Sequence, residues 1–145
     1  DGIVEAQKRG VVFDIGHGRG SFSFASAEKA LAQNFLPDNI SSDLHIYNIE
    51  GPVHDQLSTL SKFLHLGLSL DEVIRLSTSA TAKTIRHADE IGTLKPGAEG
   101  DATVMRVSEG KFTFVDSLDA TVEGSRELEH VATIRGGKLY KPYLW

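Results

Sequence analysis

Residues 11–34 read VVFDIGHGRGSFSFASAEKALAQN, and the fold turns on how that stretch divides. Val11-Val12-Phe13-Asp14-Ile15 is a short apolar run rich in β-branched residues, the pattern of a buried strand. GHGRGS (16–21) follows as a glycine-rich turn. From Ser23 to Asn34 the apolar positions Phe24, Ala27, Ala30 and Leu31 recur at helical spacing, and Asn34 with Pro37-Asp38 closes the helix. The same order then repeats. Asn39-Ile40-Ser41-Ser42 reads as a second short strand ending at Asp43. Val53 to Leu66 sets Leu57, Leu60, Phe63 and Leu64 on one helical face, closed by Gly67. Ser69 N-caps the next helix, with Glu72 at capping-box spacing. Ser79 to His87 is a further helical segment carrying Ala80, Ala82 and Ile85. Strand–helix alternation with short loops predicts parallel βα units and an α/β class.

Outward from this centre the texture changes on both sides. Upstream, Ile3, Val4, Ala6 and Gln7 read as the tail of a helix closed by Gly10, as though the chain were cut from something longer. Downstream of residue 91, GTLKPGAEGD (92–101) is turn-rich. Ala102–Val107 reads as a strand, Glu109-Gly110 as a tight turn and Lys111–Val115 as the returning strand. Thr121–His130 reads as a polar connection. Val131–Arg135, Gly136-Gly137 and Lys138–Tyr140 read as a second hairpin. The expected division is residues 1–91 as βα units and 92–145 as an antiparallel β segment.

Composition narrows the function classes. The 145 residues are 40% hydrophobic and 24% charged, which suits a packed globular chain. A net charge of −5 with scattered Lys and Arg argues against nucleic acid as a partner. No apolar run approaches the ~20 residues that span a bilayer, so no membrane role is expected. The absence of Cys excludes disulfides, thiolate metal sites and Cys nucleophiles.

Both polar hot spots, GHGRGS and SSDLH, fall at the carboxyl ends of strands, where α/β folds place ligands and catalytic groups. Asp43 reads either as a helix N-cap or as a metal ligand or general base. The downstream helix starts nearer Pro52, too far for a cap, so the two readings stand level. His45, two residues on, would share a strand face with Asp43 and could orient it or a substrate. His17 lies between Gly16 and Gly18, either a polar loop residue or an imidazole brought close to a ligand by glycines. Arg19 is a solvated arginine or a partner for an anionic group. GHGRGS lacks the Lys-Ser/Thr ending of a phosphate-binding P-loop. Ser21 has no G-x-S-x-G elbow around it. His54, His65 and His87 lie on helical or helix-end positions, Glu90 and Asp101 in turns with structural roles, and His130 carries no special signal.

Three stretches together resemble one family. VVFDIGHGRGSFSF (11–24), NISSDLHIYN (39–48) and IGTLKPGAEGDATVM (91–105) are similar to segments of the amidohydrolase superfamily of metal-dependent hydrolases, nearest its dihydroorotase-like and deacetylase-like branch. The resemblance implies a (β/α)8 barrel with a small β-sandwich, of which this chain would be the C-terminal portion: the last two βα units and the antiparallel strands that follow. It implies one or two divalent metals, commonly zinc, with Asp43 matching the Asp that follows the eighth strand as both ligand and acid–base catalyst. His17 with Gly16 and Gly18 would face the substrate at the end of the seventh strand, and His45 would hold Asp43. The family's H-x-H pair, bridging carboxylate and middle histidines have no counterpart here. The implied activity is hydrolysis of an amide, cyclic amide or acyl ester in a longer parent, with this segment alone inactive. The partners expected are a small-molecule substrate and either a second copy, as a homo-oligomer, or the N-terminal portion, in the cytoplasm. Two competing readings are a non-catalytic α/β interaction or dimerisation module and a metal-free anion-binding protein using GHGRGS.

Overall fold

A computed structural model describes residues 2–141. The elements run α1 (Gly2–Lys8), β1 (Asp14–Gly16), α2 (Phe24–Ala32), β2 (Asn39–Ser41), α3 (Gln56–His65), α4 (Leu70–Ser77), α5 (Ser79–Thr84), β3 (Ala102–Val115), β4 (Thr121–Arg135) and β5 (Lys138–Tyr140). β1 and β2 pair in parallel, Asp14 opposite Asn39 and Gly16 opposite Ser41, with α2 as the connection between them. The expected βα alternation is therefore present. The first strand is shorter than expected and starts later. Val11 and Val12 remain about half exposed, because pairing with the second strand begins only at Phe13, whose carbonyl accepts from Asp38 N at 2.8 Å. Helix boundaries follow their caps. Ser23 caps α2, Asp55 caps α3, and Ser69 with Glu72 forms the capping box of α4 in both directions.

The last third is a three-stranded antiparallel sheet in the order β3-β4-β5. Here two expectations are corrected. Glu109-Gly110 is not a hairpin turn: β3 runs unbroken to Val115, and the register shift between Glu109 and Phe112 marks a bulge. The reversal lies at Asp116–Ala120, where Asp116 Oδ1 accepts from the amides of Leu118 (2.8 Å) and Ala120 (3.0 Å). Nor is 121–130 a connection. It is the first two-thirds of the 15-residue β4, its many charges lying on a half-solvated sheet. The Gly136-Gly137 hairpin forms as expected, both residues at positive φ (55° and 72°).

One apolar core joins these parts. Phe22, Phe24 and Ala27 near and in α2, Ile40 of β2, Leu60, Phe63 and Leu64 of α3, and Val73 and Leu76 of α4 pack with Phe114 and Leu128 of the antiparallel sheet. Polar contacts fix the same junction. Asp116 Oδ2 accepts from Phe24 N at the start of α2 (3.0 Å), Ser117 bonds Phe22 through both backbone and hydroxyl, and Ser61 Oγ accepts from Leu128 N (2.9 Å). The sheet thus braces the helix that follows the GHG turn.

Candidate active site

The two strand ends bring GHG and Asp43 together. Beyond the short ladder, His17 N donates to Ser41 O (3.2 Å) and Gly18 N to Ser42 O (3.1 Å). Gly18 sits at φ +51°, and a Cβ there would stand 2.5 Å from Asp43 Oδ2. A Cβ on Gly16 would meet Asp43 Cβ at 3.3 Å. The glycines therefore let one loop's backbone press against the carboxylate of the other. Asp43 itself is left-handed (φ 49°), a conformation that Asp tolerates better than most residues. Its carboxylate is exposed and, among the described residues, accepts no hydrogen bond. It lines an open groove of about 730 Å³ with Asp14, Gly16, Ser21 and Ser41. Asp14, which the sequence did not single out, accepts from Ser41 Oγ at 2.5 Å on the same side.

The N-cap alternative for Asp43 falls, because α3 is capped by Asp55 Oδ1 on Ser58 N (2.7 Å). The pairing expected for His45 is also corrected. The strand ends at Ser41, so Asp43 and His45 do not share a strand face. His45 Nδ1 accepts from Tyr47 N (3.2 Å), and its ring is exposed. What holds this loop is Asn48, fully buried and not foreseen. Its Nδ2 donates to Asp43 O (2.9 Å), its Oδ1 accepts from His45 N (2.8 Å), and its carbonyl receives the amides of Gly51, Val53 and His54.

His17 departs furthest from expectation. It is 0% exposed and stacks on Phe22, with ring centroids 4.7 Å apart. Its Nδ1–H donates to Gly18 O (2.9 Å), which leaves Nε2 to accept from Lys62 Nζ at 2.7 Å. With both nitrogens engaged and no exposed surface, the imidazole faces the core here and does not line the groove beside Asp43. Lys62, equally unforeseen, also donates to Pro52 O (2.6 Å). Burial lowers the Lys62 pKa to about 8, partly opposed by the Asp116 carboxylate. Burial likewise lowers the His17 pKa, its bond to Gly18 O and the Asp116 charge working against this and the Lys62 charge with it.

Arg19 Nη1 donates to Tyr47 O and Gly51 O, both at 3.3 Å, so it spans the two loops. Among the described residues no group of three or more His, Cys, Asp and Glu side chains converges to hold a metal ion. The other four histidines make local contacts: His54 donates its amide to Asn48 O (3.3 Å), His65 packs between Phe24 and Phe114, His87 pairs with Glu90 (3.0 Å), and His130 Nε2 bonds Thr133 Oγ1 (2.9 Å). Asp101 Oδ1 accepts from Gly136 N (2.7 Å), the structural role expected of it. No described helix is long and apolar enough to cross a membrane.

No protein-family model matches the chain. Among curated proteins it is similar to a deacetylase of Enterococcus faecalis, 37% identical over 137 residues, covering 94% of this chain and 37% of that protein. It is also similar to Deacetylase Atu3266 of Agrobacterium fabrum, 35% identical over 133 residues, covering 92% of this chain and 30% of that protein. Among solved structures it is similar to an adenine deaminase (TM-score 0.94, 36% identity, 98% of this chain, 39% of that one). A dihydroorotase follows (TM-score 0.86, 32% identity, 97% of this chain, 38% of that one). Both are amidohydrolase-superfamily members, so the resemblance read from GHGRGSFSF and SSDLH is borne out. The chain spans between 30% and 39% of the length of these proteins.

Proposed function

We propose, from the premise that this chain belongs to the amidohydrolase superfamily, that it is the C-terminal portion of a metal-dependent hydrolase whose acid–base carboxylate is Asp43. The observation that carries this reading is the placement of Asp43: an exposed carboxylate at a strand end, with the facing loop reduced to glycine where a side chain would block it. In this reading β1–α2–β2–α3 are the last two βα units of a (β/α)8 barrel, within residues 1–91. Residues 92–145 belong to the small β-sandwich.

The reaction is hydrolysis of an amide, cyclic amide or acyl ester of a small molecule, and the deacetylase relatives favour an N-acetyl substrate. Asp43 takes the proton of the attacking water and returns it to the leaving group, base first and acid second. Gly16 and Gly18 let the substrate approach the backbone beside it, and the exposed His45 ring stands on the substrate side. His17 works from beneath, as packing. A divalent metal, zinc by family resemblance, would take Asp43 as one ligand and its other donors from outside this chain, so the segment alone is expected to be inactive. The setting proposed is the cytoplasm, with the segment held in a homo-oligomer or against the N-terminal portion.

Ile46 and Tyr47, 81% and 77% exposed beside Asp43, favour a second reading as a non-catalytic interaction module. A chimera separates the two. This chain replaces the matched 137 residues of the Enterococcus faecalis deacetylase, and acetate release from N-acetyl substrates is measured with zinc supplied. The hydrolase reading expects release. A folded chimera that self-associates and releases no acetate, beside an active parent, supports the interaction module instead.

A further inference from the structure

We propose that Lys62 is a positioning residue for Asp43, tying together through His17 on one side and the Pro52 carbonyl on the other the two loops between which that carboxylate sits. Lys62 lies in α3 and is 2% exposed, so its ammonium group is held wholly by protein. An ammonium withdrawn from water is tolerated only where its donors are met. Two of the three are met, at 2.7 Å by His17 Nε2 and at 2.6 Å by Pro52 O, with the Asp116 charge also favouring the ammonium.

Each contact is the first link of an arm that ends at Asp43. On the first arm, the His17 ring is fixed by Lys62 at Nε2, by Gly18 O at Nδ1 and by the face of Phe22. Gly18 is thereby set where its missing Cβ leaves room for Asp43 Oδ2. On the second arm, Pro52 belongs to the turn whose amides, from Gly51, Val53 and His54, converge on Asn48 O. The Asn48 side chain in turn holds Asp43 O and His45 N. A leucine at 62 would fill the space but leave the imidazole nitrogen and the proline carbonyl unmet. An arginine would carry a planar fork in place of one compact nitrogen. The depressed affinity of Lys62 for its proton accords with this buried placement.

The inference rests on the proposed role of Asp43 for its catalytic meaning, but its geometry is testable without turnover. The experiment is carbon- and nitrogen-detected NMR of the labelled chain with Lys62→Met, and with His17→Gln as a second variant that cuts one arm. Lys62→Met is expected to move the Asp43 Cγ resonance and the amides of Gly18, His45 and Asn48, leaving those of the remote Arg106 and Val107 in β3 unchanged. His17→Gln is expected to move Gly18 and Asp43 with smaller changes at His45, and it carries the test alone if Lys62→Met fails to fold. Unchanged Asp43 and Gly18 resonances in a folded variant overturn the proposal. So do shifts spread evenly over the whole core, the mark of a merely structural lysine. An inactive chimera together with the expected shifts would sink the hydrolase reading and leave the positioning role standing.

Discussion

The loop after β1 and the loop after β2 lie side by side, and each places a histidine near the same strand ends. The fold treats them in opposite ways. His17 is sealed between Phe22, Lys62 and Gly18 with both nitrogens engaged, whereas His45 is exposed, as is the Asp43 carboxylate. In the second loop it is the backbone that is pinned, by Asn48, while the Asp43 carboxylate, among the described residues, accepts no hydrogen bond and the exposed His45 ring is engaged only at Nδ1. The difference separates two uses of a titratable group. A group with every bond made holds geometry, and a group with bonds left to make can do chemistry.

Truncation should expose this contrast most sharply. Lys62→Ala leaves the His17 nitrogen and the Pro52 carbonyl buried without partners, and is expected to cost about 2–5 kcal/mol of unfolding free energy. Asp43→Asn, at an exposed carboxylate and with a residue that also tolerates the left-handed backbone, should stay within about 0.5 kcal/mol. Denaturant titration of the two variants checks the pair, and equal losses would erase the distinction. Next in size, Gly18→Ala puts a Cβ 2.5 Å from Asp43 Oδ2 at a left-handed position, and about 1–3 kcal/mol should be lost, with the Asp43 loop displaced.

The pH dependence tests the same contrast without any substitution. The His17 pKa is lowered in the folded chain, first by burial, with the Lys62 charge adding to this and its bond to Gly18 O and the Asp116 charge opposing it. As pH falls below His17's ordinary value of 6.5, the unfolded chain therefore binds a proton that the folded chain refuses. Stability contributed by His17 is full above that pH and is lost on the way down to the folded value, at up to about 1.4 kcal/mol per unit. Lys62 acts in another window: between about 8 and 10.5 the folded chain has released its proton first, so stability rises with pH there. Both dependences should be weakened in His17→Gln and Lys62→Met respectively, measured as unfolding free energy against pH.

Much of the frame was legible in the sequence. The alternation of strand and helix signals placed β1, α2, β2 and α3 in order, and Ser69 with Glu72 announced its capping box. Glycines either side of His17 pointed to a close approach, and Asp43 is what approaches. The misses have physical causes. Gly110 looks like a turn residue but makes a bulge, since the pairing of β3 with β4 continues past it. The charges of 121–130 hid a strand whose Leu128 reaches the core. Lys62 sits in a helix beside Phe63, where lysine ordinarily reaches for water, and its burial depends on a histidine 45 residues away. His17 was expected at the substrate for the reason that hides it: the same glycine-rich turn that brings backbone to Asp43 also folds the imidazole inward. Asn48 gave no signal, because its partners are backbone groups of its own loop.

The central claim, that Asp43 is the reacting carboxylate and the buried pair its scaffold, meets its most direct test in one substitution. In the chimera that carries this chain, Asp43→Asn should leave the unfolding transition in place and lower the rate of acetate release by roughly a thousandfold, the scale of a lost acid–base group. Acetate release at an undiminished rate by the folded Asn variant would contradict it.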